Sequence, residues 1–179
     1  MQNAAMHEFT ELVNRSIHFG LNALKDAQAR LHKALETSGA TTLVKSLQMV
    51  ELHKVVIAVG MFSIFEAMMQ DQLGVDDGFA EVRKLLDCQG QMELRERFSQ
   101  YTDAINVLKH GRGRSHDALL ARGDALPFRV KQPDQAFFFE GDVSEISTLI
   151  RVDDEFVLAC GEVIREVWEA MARQADQPP

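Results

Sequence analysis

Cysteine is scarce: Cys88 and Cys160 are the only two, and they form no CxxC pair. Neither a disulfide scaffold nor a cysteine zinc site is expected, and both thiols read as buried apolar residues. Positive charge is also short, with 19 Lys plus Arg against 27 Asp plus Glu and a formal net charge of -8. That balance excludes the broad basic footprint of a nonspecific nucleic-acid binder. An anionic ligand would need a local patch working against the field of the whole molecule. No apolar run is long. The longest, Val55 to Met69, contains Glu66 and falls short of the roughly 20 residues that span a membrane. The N-terminus, from Met1 to Glu8, has neither a basic stretch nor an apolar one, so no signal peptide is expected and a cytoplasmic location is. HExxH, GxSxG and Walker signatures are missing, as are internal repeats. No metal, no other cofactor and no membrane partner is expected.

What remains is rich in helical pattern. With 179 residues, 46% of them hydrophobic, the chain can bury one core and suits a single domain over 1–179. Phe9, Val13, Ile17, Leu21, Leu24, Ala27, Leu31 and Leu35 recur at steps of three and four, predicting a long helix near 5–37 that ends at Ser38-Gly39. A second long helix is predicted near 42–73. Its Val55–Met69 stretch is apolar nearly all round, as in the central helix of a bundle, with Ala58 and Gly60 admitting a close neighbour. A short helix follows over 79–86. Leu94, Phe98, Tyr101, Ile105 and Leu108 then mark a helix near 91–110, and Ser115 looks like an N-cap for a short helix over 117–121. Phe156, Cys160, Val163, Ile164, Val167, Trp168 and Met171 form the face of a last helix near 153–173, capped by Asp153. Near 124–143 two β-prone runs flank the turn-like Lys131-Gln132-Pro133-Asp134, which predicts an extended or hairpin excursion, with Phe137, Phe138 and Phe139 plugging the core. Ser144 could start a helical turn to Leu149. The expected fold is all-α, an up-and-down bundle of about five to six helices.

The densest chemistry lies where the fourth helix breaks, in Ile105-Asn-Val-Leu-Lys-His-Gly-Arg-Gly-Arg-Ser-His116. His110 is the type of side chain that exchanges protons near neutral pH, and as a helix-end residue it reads either as a general acid or base or as a cap. Asn106, one turn earlier, can orient an imidazole or a substrate hydroxyl, and Asp103 extends the stripe. Lys109, Arg112 and Arg114 lie in a glycine-rich turn. They read either as a phosphate cradle or as a salt-bridge cluster in an acidic protein. His116 is six positions from His110 with no acidic ligand at a suitable offset for a metal. Glu66, inside an apolar stretch, needs a lysine, arginine, histidine or backbone partner from another helix; it is either a structural pair or a site-lining acid.

The long apolar helix bearing Phe62-Ser-Ile-Phe-Glu66, followed by a helix ending Asn106-Val-Leu-Lys-His110 and then Gly-Arg-Gly-Arg-Ser115, resembles the HEPN superfamily of prokaryotic toxin, defence and RNA-processing domains. The resemblance spans roughly 42–171. It implies a helical bundle that dimerises so that two motifs form one metal-independent endoribonuclease site. In active members the motif is an arginine, a polar residue directly after it, and a histidine after four to six intervening residues. Asn106 takes the polar place and His110 the histidine place. Ile105 stands where the arginine belongs, and it cannot bind a scissile phosphate. Either Arg112 or Arg114 reaches in from the loop, or the chain is a catalytically degenerate relative that keeps the bundle and the dimer surface; the second is favoured. The resemblance implies a homodimer, RNA as ligand, and a cognate antitoxin or other partner protein in a defence or toxin–antitoxin setting.

Two alternatives belong to other classes. One is a purely structural protein–protein interaction module without nucleic-acid activity. The other is a small-ligand sensor in the bundle core, suggested by Met61, Met68 and Met69, although methionines at helical spacing usually fill cores.

Overall fold

The computed structural model describes residues 2–175, and side chains over residues 8–173. It is all-α. Helices α1 (Gln2–Leu35), α2 (Thr41–Leu73), α3 (Gly78–Cys88), α4 (Met92–His110), α5 (Arg114–Arg122) and α6 (Asp154–Ala175) follow in order, with one 3-10 turn, Gly123–Ala125. The four long helices alternate in direction. Phe9 and Gly20 of α1 meet Phe65 and Ile57 of α2, as antiparallel neighbours must. Ile17 and Phe9 likewise meet Gly161 and Trp168 of α6. Arg97 and Tyr101 of α4 meet Glu166 and Phe156 of α6. Helix α3 packs on α2, α4 and α6, and α5 docks on α4.

The core is aromatic at one end. Phe9, Phe62, Phe65, Phe79, Phe98 and Trp168 form a connected set of rings. A second cluster joins Tyr101 to Phe128 and Phe156, and burial pushes the Tyr101 hydroxyl up to about 12. The faces expected of α1, α4 and α6 are those found inside, because the 3.6-residue period dictates which side can be covered.

Several local expectations change. Gly60 borders open space, and the close helix contacts fall at Gly20, Gly78 and Gly161. Gly39 does not adopt a left-handed conformation. Helix α1 stops at Leu35, and the Ser38 hydroxyl then accepts the Ala40 N–H at 3.3 Å. Gly74 does adopt it (φ 65), closing α2 with a bond to the Gln70 carbonyl. Cys160 is buried and Cys88 is exposed at the end of α3. Helix α2 is central on one side only. Ala58, Phe62 and Phe65 are fully buried, yet Met49, Leu52, Val56 and Ile64 are half exposed or more. Taken whole, α2 is also long and apolar enough to cross a membrane by length and composition, which Val55–Met69 alone is not, and it packs against four other helices.

Between the 3-10 turn and α6 the chain forms an extended strap. Its one β-bridge pairs Val130 with Ile150, rather than the two β-prone runs with each other. Of the three consecutive phenylalanines only Phe138 is buried. The segment after Ser144 is bends, not helix. Asp153 caps α6 as expected, its Oδ1 accepting the Phe156 N–H at 3.0 Å.

A buried ion pair holds the strap. Lys131 and Glu145, with side chains 6% and 9% exposed, meet at 3.0 Å. Glu145 also accepts the N–H groups of Phe138 (2.9 Å) and Phe139 (3.1 Å). Burial works to raise the Glu145 carboxyl, but those N–H groups and Lys131 outweigh it and hold it below the usual carboxylate range.

Candidate functional site

Helix α4 sorts its residues by face. Leu94, Phe98, Tyr101 and Ile105 point into the core, while Asn106, Lys109 and His110 are exposed. Ile105 is 3% exposed, so nothing at that position reaches solvent or a ligand. The helix ends because Gly111 takes φ 76, a conformation that side chains rarely tolerate, with its N–H bonded to the Val107 carbonyl at 2.8 Å. The turn to α5 leaves Arg112 and Arg114 exposed beside His110.

Asp103 is the fastener of this turn. Its Oδ1 accepts the Ser115 hydroxyl at 2.9 Å, and its Oδ2 accepts Arg122 Nη1 at 3.0 Å. Ser115 therefore ties α5 to α4 and does not cap α5, which starts at Arg114 behind an uncapped Gly113. His116 turns inward. It is 2% exposed, and its Nε2–H donates to the Lys131 carbonyl at 3.2 Å, joining α5 to the strap. The six residues between His116 and His110 thus separate a core brace from a surface imidazole. Glu66 is half-buried and makes no ion pair among the described residues. It stays near enough to solvent to need none.

The cations of the turn differ from the braced ones elsewhere. Unlike other cations that hold no carboxylate among the described residues, such as Lys25, Lys33 and Lys45, they are grouped at one turn. Lys54, Arg97, Arg122, Lys131 and Arg165 all hold carboxylates. Among the described residues, Lys109, His110, Arg112 and Arg114 hold none, and only Arg112 has a side-chain bond, a long 3.4 Å contact to the Pro133 carbonyl. Four surface cavities, of 230, 430, 340 and 540 Å³, are all lined by other residues. The turn is an exposed cationic edge, with the Asn106 amide one helical turn before His110. Among the described residues no group of three or more His, Cys, Asp or Glu could hold a metal.

The strap chemistry went unread in the sequence. One clue was present: Lys54 falls on the inward stripe of α2, with Leu47, Val50, Ala58 and Met61. A lysine there must find carboxylates within reach, and it finds Glu51 and Asp154 at the rim of the core.

Compared with protein-family models, with curated proteins and with solved structures, the chain matches none.

Proposed function

We propose that the chain is a catalytically degenerate HEPN-like protein that acts as a homodimer and contacts the RNA backbone through the α4–α5 turn, in a defence or toxin–antitoxin setting. The observation behind this is the unpaired set Lys109, His110, Arg112 and Arg114, grouped on one exposed edge of a protein of net charge -8. Other exposed cations, such as Lys25, Lys33 and Lys45, also hold no carboxylate among the described residues, but these four share one turn. A cluster of this kind is disposed to take phosphate oxygens, and the Asn106 amide one helical turn before His110 suits a ribose hydroxyl. Catalysis asks for more: donors preorganised around the developing phosphorane charge in a water-excluded site. An open edge with a buried isoleucine in the arginine position supplies none of that within one chain.

The test uses an RNA panel in EDTA. The proposal expects binding without cleavage by the wild type and by His110→Ala, and binding lost when Lys109, Arg112 and Arg114 become alanine together. Cleavage that His110→Ala abolishes would overturn the degenerate reading; equal binding by the triple variant would overturn the RNA reading.

A second reading, an interaction module without nucleic-acid activity, is favoured by one observation. Leu12 and Phe19 of α1 and Val56 and Ile64 of α2 are 58%, 79%, 59% and 58% exposed. They lie together, since Phe19 adjoins Gly20 and Ile64 lies two turns along the α2 edge that meets it at Ile57. An apolar face of this kind suits a self-complementary dimer. RNA binding separates the two readings.

A further inference from the structure

Where α1, α2, the strap and the start of α6 meet lies the cavity of 230 Å³. Its lining includes two cations, Lys54 and Arg151, four carboxylates, Glu51, Asp142, Glu145 and Asp153, and Phe139. Glu145 is taken up by Lys131 and the Phe138 and Phe139 N–H groups, and Asp153 by the Phe156 N–H and Arg151. Lys54 is 7% exposed. Its ammonium has three N–H donors. Two are taken, by Glu51 Oε1 at 3.3 Å and Asp154 Oδ1 at 3.1 Å. The third has no acceptor among the described residues. Arg151 lies over the Phe139 ring at 4.4 Å, which sets the plane of its guanidinium. Its carboxylate contact is Nε to Asp153 at 3.5 Å, and its terminal nitrogens have no acceptor among the described residues. The carboxylates show the converse. Glu51 engages Lys54 through Oε1, and Asp142 engages Ser144 through Oδ1 at 2.9 and 2.6 Å, so Oε2 and Oδ2 have no donor among the described residues.

Unused cationic donors ask for an anionic group, and unused carboxylate oxygens ask for a cationic one. A lone anion would meet the carboxylate field. A lone metal ion would find no cluster of ligands. A molecule with both charges answers both demands. The volume is below the roughly 300–1,000 Å³ of drug-sized sites and suits something smaller. We infer that this cavity binds a small zwitterion, an α-amino acid, with its carboxylate on Lys54 and Arg151 and its ammonium on Glu51 and Asp142.

Calorimetric titration of the full chain with each of the twenty common amino acids tests this. At least one should bind more tightly than about 1 mM. Its N-acetyl derivative and its amide, each missing one charge, should bind at least ~10-fold more weakly, since each leaves a partner unpaired. Arg151→Met should cause a similar loss with the helical circular dichroism and melting temperature retained, because Arg151 is 38% exposed on its side chain; Lys54→Met gives a second reading of the same pocket. Absence of binding by every amino acid, equal binding of a blocked derivative, or undiminished binding by folded Arg151→Met would overturn the assignment.

Discussion

Glu145→Gln is the most informative single perturbation of the fold. The substitution keeps the shape and removes the charge. In the wild type the carboxylate holds Lys131 at 3.0 Å and two N–H groups, from Phe138 and Phe139, with 9% of the side chain exposed. Glutamine presents an NH2 where an acceptor stood, so either the Phe139 N–H or the Lys131 ammonium faces another donor. Lys131 keeps the Ala136 carbonyl (3.1 Å) and the Phe138 ring, but no counter-charge. Breaking a buried pair from one side costs about 3–5 kcal/mol; the strap lies at the surface, so the lower end, about 3 kcal/mol, applies. For a chain of this size each kcal/mol moves Tm by roughly 2–4 °C, giving a fall of roughly 6–12 °C. Thermal unfolding by circular dichroism reads the global effect. Hydrogen exchange at the Phe138 and Phe139 amides reads a strap that detaches locally. A Tm within about 2 °C of wild type, with both amides still protected, would refute the brace.

Acid and alkali should probe two different pairs. Glu145 sits below its ordinary range, so its contribution is present above the unfolded value of about 4.3 and is lost as pH falls through the folded one. The Tm of Glu145→Gln should therefore depend less steeply on pH below about 4. Burial lowers Lys54, but Asp154 and Glu51 outweigh it and hold it above its usual value. Its contribution is complete below about pH 10.4 and lost above it, so Lys54→Met should flatten the alkaline limb of the same melting series. Gly78→Ala should destabilise by about 1–3 kcal/mol, since the new Cβ would lie 2.8 Å from Met69 Cβ and 3.0 Å from the Gln70 nitrogen. Gly60→Ala, in open space mid-helix, should stabilise by up to ~1 kcal/mol; chemical denaturation compares the two. Phe19→Ser with Val56→Ser should convert a dimer to a monomer by light scattering, and a wild type that is already monomeric would remove the dimer from the account.

Periodicity is what made the bundle readable. Val13, Ile17 and Leu21, or Phe156, Cys160 and Val163, can be covered only from one side, and their spacing names that side. Periodicity does not say how many neighbours a helix has, so the all-round apolar stretch of α2 reads as covered although Val56 and Ile64 are exposed. The strap lacked any such signal. Its order comes from side-chain bonds to backbone and from a bridge joining residues 130 and 150, interactions between positions that no short window contains. At the turn, sequence proximity grouped His116 with His110. Helix α5 separates them, because His116 shares its buried face with Leu119, three residues on. That i, i+3 relation was present in the sequence and marks His116 as a core residue.

The proposed function requires the unpaired cations of the α4–α5 turn to meet RNA. The salt dependence of single-stranded RNA affinity, by fluorescence anisotropy, tests it most directly for wild type against the Lys109, Arg112 and Arg114 triple alanine variant. Each phosphate contact on a single strand adds about 0.7 to the log–log slope, so removing three should flatten it by about 2. Equal slopes for the two proteins would contradict the central claim.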